Sequence, residues 1–170
     1  MTKEMISPST NVAINKLVEK AFNGNAIFDN IAYNLDVVFN MPKASAIVHE
    51  LVAHWLPAPF ADSIQEFQSL RNVKPVRPVV EAQSKTYMRV VECFNDALNF
   101  FLEFEEEFKS AISIAEEEGD VASRIFLENT YMEILTYIKQ MLVWSNKAIQ
   151  YEENIGIQSF DIDIPAFVRI

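Results

Sequence analysis

Hydrophobic residues recur at steps of three, four and seven along four successive stretches of this chain, each about thirty residues or longer, with turn-forming residues between them. That rhythm predicts long helices. In the first, expected over about residues 11–40, Ile14, Leu17, Ala21, Phe28, Ile31 and Leu35 share one face, and Ser9, Thr10 or Asn11 can cap its start. Pro42 ends it, because proline cannot supply the N–H that would continue the turn. The second helix is expected over 43–72. The third, over about 80–118, has the cleanest stripe: Val91, Phe94, Leu98, Phe101, Phe104, Phe108, Ile112 and Ala115. Gly119 is placed to end it and Asp120 to cap the fourth, over 121–153, whose expected inner face is Ala122, Ile125, Met132, Leu135, Ile138 and Leu142. Gly24, inside the first helix, weakens it by roughly 1 kcal/mol relative to alanine.

Four such helices stack most simply as an all-α four-helix bundle over residues 1–154. Short connections make two antiparallel hairpins. The middle link, holding Pro75 and Pro78, is longer and suits a crossover along the bundle. Residues 155–170 form a tail too apolar to float free, expected to dock on its own bundle or on a neighbouring subunit. A formal charge of −10 opposes nucleic-acid binding, so no such partner is expected. Cys93 has no second cysteine to pair with, and the first residues lack an apolar run. A cytoplasmic setting without membrane contact is therefore expected.

Three stretches resemble the Dps family, the dodecameric mini-ferritins. "INKLVEKAFNGNAIFDNIAYNLDV" is similar to that family's first helix. "DSIQEFQSLRNVKP" keeps an Asp, an acid four positions on and a proline nine later, here Asp62, Glu66 and Pro75. The third is "AISIAEEEGDVASRIFLENTYMEILTYIKQMLVWSNKAI". It resembles the junction of the third and fourth helices, including the Gly-Asp turn and a late tryptophan, Trp144. The resemblance spans about residues 14–149. It implies a ferritin-like four-helix bundle with a long middle crossover connection, assembled as a homododecameric cage. Such a cage takes in ferrous iron, oxidises it, preferentially with hydrogen peroxide, and stores the ferric mineral. It also implies an oxidation site between subunits, one giving histidine and its partner's second helix giving an aspartate and a glutamate.

Asp62 and Glu66, four apart, share a helical face and offer oxygen ligands that suit iron. The family's first-helix histidine would fall at Ala32 and is absent. Its second-helix histidine context is similar to "HEL" at His49, Glu50 and Leu51, with Ala53 where the next carboxylate is expected. Glu50 and His54, also four apart, could substitute. The candidate metal ligands are thus Asp62, Glu66, His49, Glu50 and His54, against the alternative of surface roles for the histidines. Pro57 and Pro59 predict a kink or break near residues 56–60, which would turn the histidines away from the acidic pair. Glu128 and Glu133 lack a Glu-x-x-His partner, so no iron centre is expected inside the bundle. The acids of Glu116–Asp120 would ring a cage pore or simply end a helix. Cys93 and the 13 phenylalanines read as core. Lysine-rich tails for DNA are missing, the ends offering Lys3 beside Glu4, and Arg169. Two functions stay open: an iron-oxidising cage with a modified site, and a structural assembly protein that has lost the chemistry.

Overall fold

A computed structural model of the chain describes residues 4–170; Lys3 lies outside them. The first helix, α1 (Pro8–Tyr33), starts three residues earlier than expected because Ser7, in extended conformation, leads directly into Pro8 at the first helical position. Its whole predicted stripe is buried. After Tyr33 the turns widen, and the amide of Phe39 donates to the carbonyl of Asn34, five residues back. Asn40 closes the helix in the left-handed region at φ 54°, a conformation asparagine tolerates.

The second helical run comprises α2 (Pro42–Val48) and α3 (Ala61–Leu70), and the kink or break expected between them takes the form of two wide turns without a stop. Two wide turns, His49–Ala53 and Leu56–Phe60, carry the backbone past both prolines with right-handed helical angles at His49, His54, Trp55, Phe60 and Ala61. The reason lies in two carbonyls. Pro59 cannot donate to Trp55 O, so the amide of Phe60 does, at 3.0 Å. Pro57 cannot donate to Ala53 O, and the carboxamide of Asn25 on α1 does so instead, at 2.9 Å. Each orphaned acceptor is served, and the helix bends its register instead of stopping.

Next come α4 (Val90–Glu117) and α5 (Val121–Asn154). The third helix therefore begins ten residues later than its sequence suggests. A helix of 28 residues is about 42 Å long. The link must run back along a bundle of that length, and the seven or eight extended residues first expected reach only about 28 Å. The extra residues lie along α1. Asn23 Oδ1 accepts from the amide of Glu81, Asn30 and Asn34 donate to Lys85 O, and Asn34 Oδ1 accepts from the amide of Tyr87. Glu92 starts α4 by accepting from the amides of Met88 and Arg89.

The ends fix the topology. Met5 N donates to Arg71 O, Ser7 N to the Asp120 carboxylate, and Ser145 Oγ to Asn95. So α1 runs antiparallel to both α3 and α4, α5 runs antiparallel to α4, and the crossover spans the length between. Gly119, at φ 67°, ends α4, and Asp120 caps α5 by accepting from Ser123 N and Oγ at 3.2 and 2.8 Å.

The core is aromatic. Phe28, Phe100, Phe101, Phe104, Phe108 and Phe60 pack edge-on or tilted, with centroids 5.3–5.9 Å apart. Gly24 sits against this cluster. A Cβ there would stand 2.4 Å from Phe100 Cζ and 2.9 Å from Leu56 Cδ1, so the glycine permits close approach of three helices. The stripe of α4 is buried or half-buried throughout. That of α5 is met in part: Ile138 is buried and Ala122 and Leu135 are half-buried, but Ile125, Met132 and Leu142 are exposed, and Leu127, Ile134, Tyr137, Met141, Trp144 and Ala148 complete the inner face. This helix is apolar on both sides, so periodicity alone placed only half of the expected residues inward. In the tail, α6 (Ile157–Asp163) and a tighter turn, Ile164–Phe167, bury Phe160 and Ile164, and Asp161 Oδ1 accepts from Ala44 N at 2.8 Å. No helix of the described residues is long and apolar enough to cross a membrane.

Candidate metal centre

The wide turn His49–Ala53 gathers the chain's two histidines. In an ordinary α-helix the surface neighbour of His49 would be residue 53. Here Ala53 is fully buried and His54 takes that place: its amide donates to His49 O at 3.1 Å, and the two imidazole centroids are 4.1 Å apart. Glu50 comes alongside, with Oε2 3.4 Å from His54 Nδ1. Ligand atoms of His49, Glu50 and His54 all lie within 4.8 Å of one another on an open face of the bundle.

A residue that sequence reasoning missed holds this cluster in place. Asp29, on α1, lies with Oδ1 2.8 Å from His49 Nδ1. An ionised carboxylate only accepts, so His49 donates from Nδ1 and keeps Nε2 for another partner. Asn25 stands one turn earlier on α1 and points its carboxamide at both Asp29 Oδ2, at 3.4 Å, and Ala53 O. From the far side, Tyr137 donates to Leu51 O at 3.1 Å and stacks on Trp55 at 3.8 Å. Burial, with Glu133 adding to it, pushes the Tyr137 phenol far above its usual range, so it stays a donor. The only earlier signal of Asp29 was its spacing four residues after Asn25, on one face of the first helix.

Asp62 and Glu66 project from the exposed face of α3 and are not part of this convergence. Ala32, where the resemblance places a histidine, is buried. The bundle interior does not suit a dinuclear metal centre. Such a centre takes inward-facing Glu and His from four helices, and among the described residues the buried polar side chains are Thr, Asn, Gln and Ser with one outlying aspartate, Asp161. Glu128 and Glu133 are exposed.

No protein-family model matches the chain, and no curated protein matches it in sequence. Solved structures do match in shape. An open pore ferritin from the hyperthermophilic archaeon Archaeoglobus fulgidus aligns over 99% of this chain and 100% of its own, with a TM-score of 0.87 and 16% identity. The chain has a ferritin-like fold. At that identity the likeness carries the path of the helices and the crossover, not the side chains of a site. The ferritin-like bundle here has an aromatic interior and its convergent metal-type donors on the outside.

Proposed function

We propose that this is a self-associating iron-handling protein that takes ferrous iron at a site on its outer face. The observation that carries this reading is the convergence of His49, Glu50 and His54 on a bundle of ferritin-like fold. In this reading iron is the substrate, entry is at the His49, Glu50 and His54 cluster, and Asp62 and Glu66 of a neighbouring copy add a separate carboxylate pair across a subunit contact, as a Dps-like cage would arrange it. Self-association is supported by exposed apolar residues on the crossover, Val76, Val79, Val80 and Met88, and by the exposed Val37. The acidic balance of the chain favours gathering cations over nucleic acid. Oxidation by peroxide and mineral storage in a twelve-subunit shell complete the proposal.

The test is iron-dependent consumption of peroxide or oxygen by the purified protein, with its assembled mass measured in the same sample. Activity should fall in His49→Ala with His54→Ala and in Asp62→Ala with Glu66→Ala. Unchanged activity in either pair removes that pair from the site. A second reading is a ferritin-like assembly protein without oxidation chemistry, favoured by Ala32 and by the phenylalanine-filled interior. A large oligomer that takes up no iron beyond a buffer blank selects it.

A further inference from the structure

The two prolines, the wide turn and the histidine pair form one construction. Pro57 withholds an N–H from Ala53 O, which leaves that carbonyl for Asn25. Asn25 thereby ties α1 to the turn and sets its own carboxamide against Asp29, whose other oxygen orients His49. In a regular α-helix five residues sweep about 500°, which would leave the imidazoles of His49 and His54 about 140° apart. The turn instead holds one additional residue, and the rings lie side by side.

From this we infer a cation site complete within one chain: His49 and His54 give nitrogen, Glu50 gives oxygen, and one coordination position stays open. Asp29 is its positioning residue. The inference rests on reading this cluster as a metal site, and it goes further by naming the cation class. Two imidazoles and one carboxylate serve both open zinc sites and non-haem ferrous sites, so the affinity order decides between them. For nitrogen donors, affinity rises from ferrous iron through cobalt and nickel to copper, with zinc also favoured. The site therefore prefers zinc, cobalt(II), nickel or copper(II) to ferrous iron. In a tetrahedral site, ligand atoms about 2.1 Å from the ion stand about 3.4 Å from each other. From separations of up to 4.8 Å, the ligand atoms must close by at most about 1.4 Å to reach the roughly 3.4 Å of a tetrahedral site, within rotamer reach for half-exposed groups.

The experiment titrates zinc by calorimetry and cobalt(II) by its visible absorption into the metal-free full chain, without oxidant. One ion per chain is expected. Binding is lost in His49→Ala and in His54→Ala and is unchanged in Asp62→Ala with Glu66→Ala. Asp29→Asn should weaken cobalt affinity 10- to 100-fold and alter the cobalt spectrum, while the melting temperature of the metal-free protein stays put. Under anaerobic conditions an equal concentration of zinc should displace ferrous iron. Absence of zinc and cobalt binding, half an ion per chain with loss in the Asp62 and Glu66 variants, or iron resisting zinc would each overturn the proposal. Zinc binding without iron oxidation sinks the iron function and leaves this site standing; iron oxidation without zinc or cobalt binding does the reverse.

Discussion

Replacing Gly24 by alanine sets two effects of known size against each other. A mid-helix glycine costs about 1 kcal/mol relative to alanine, so propensity alone predicts a gain of that size. The new Cβ would stand 2.4 and 3.0 Å from Phe100 Cζ and Cε2 and 2.9 Å from Leu56 Cδ1. Carbon atoms are at ease at about 3.5–4.0 Å, so the Phe100 ring would have to retreat by about an ångström. On the core side it is held by Phe28, Phe101 and Phe104 at centroid distances of 5.4, 5.3 and 5.7 Å, and only its edge toward the groove between Ile27, Tyr87 and Asn99 is open. Overpacking of this kind costs about 1–3 kcal/mol, and the close ring neighbours place this site in the upper half. The net expectation is a loss of about 1–2 kcal/mol, read as a fall in melting temperature of about 2–8 °C at fixed protein concentration. Trimming the obstacle should reverse the sign: Gly24→Ala in a Phe100→Leu background should be less harmful than in the parent, with a coupling energy of about 1 kcal/mol or more. A single variant that melts about 2–4 °C higher, or two substitutions that simply add, would refute the packing argument.

Other predictions concern the turn, the cap and alkaline pH. Asn25→Leu leaves Ala53 O without its donor and should cost about 1–3 kcal/mol in urea unfolding, with weaker cobalt binding as a second readout. Asp120→Ala removes a cap that also holds Ser7 N, and a loss of about 1–2 kcal/mol is expected from the same assay. Burial, assisted by Asp96, pushes the Cys93 thiol up to about 12, while an unfolded thiol ionises near 9. Below that lower value both states hold the proton. Above it the unfolded chain releases the proton first, so stability falls as pH rises between the two, with Tyr87 and Tyr137 adding to the fall from about pH 10. Urea midpoints should decline across this window, less steeply in Cys93→Ala, and the native thiol should resist a disulfide reagent at pH 8 that labels the unfolded chain.

How much could be read ahead depended on what each residue had to do. The phenylalanines of α4 announced their face because the other side is mostly charged or polar, with Leu102 as its exposed apolar exception. Ile125, Met132 and Leu142 misled because α5 is apolar outside as well as in, and an outward apolar residue carries the same letter as an inward one. Residues 80–89 suggested helix where the chain had to stay extended, a demand set by the length of the bundle and invisible in any local window. At the candidate site, His49 and Glu50 were singled out by the Dps resemblance and Glu50 and His54 by their spacing. Their arrangement was not legible, since Pro57 and Pro59 signalled only that a regular helix must fail. The particular failure depended on a carboxamide from another helix, and Asp29 became meaningful only once α1 was laid beside the turn.

The crossover has a practical consequence. Between the two hairpins the polypeptide is fastened by three asparagine carboxamides, Gln65, the Arg77 guanidinium over Phe22, the Lys85–Asp96 pair and Tyr87, and its valines from 76 to 80 are exposed, so a single cut among them removes little buried surface. Fragments ending and beginning there would each keep one complete hairpin. Mixed together, they should find each other and rebuild the whole, which makes this chain a natural candidate for a split reporter.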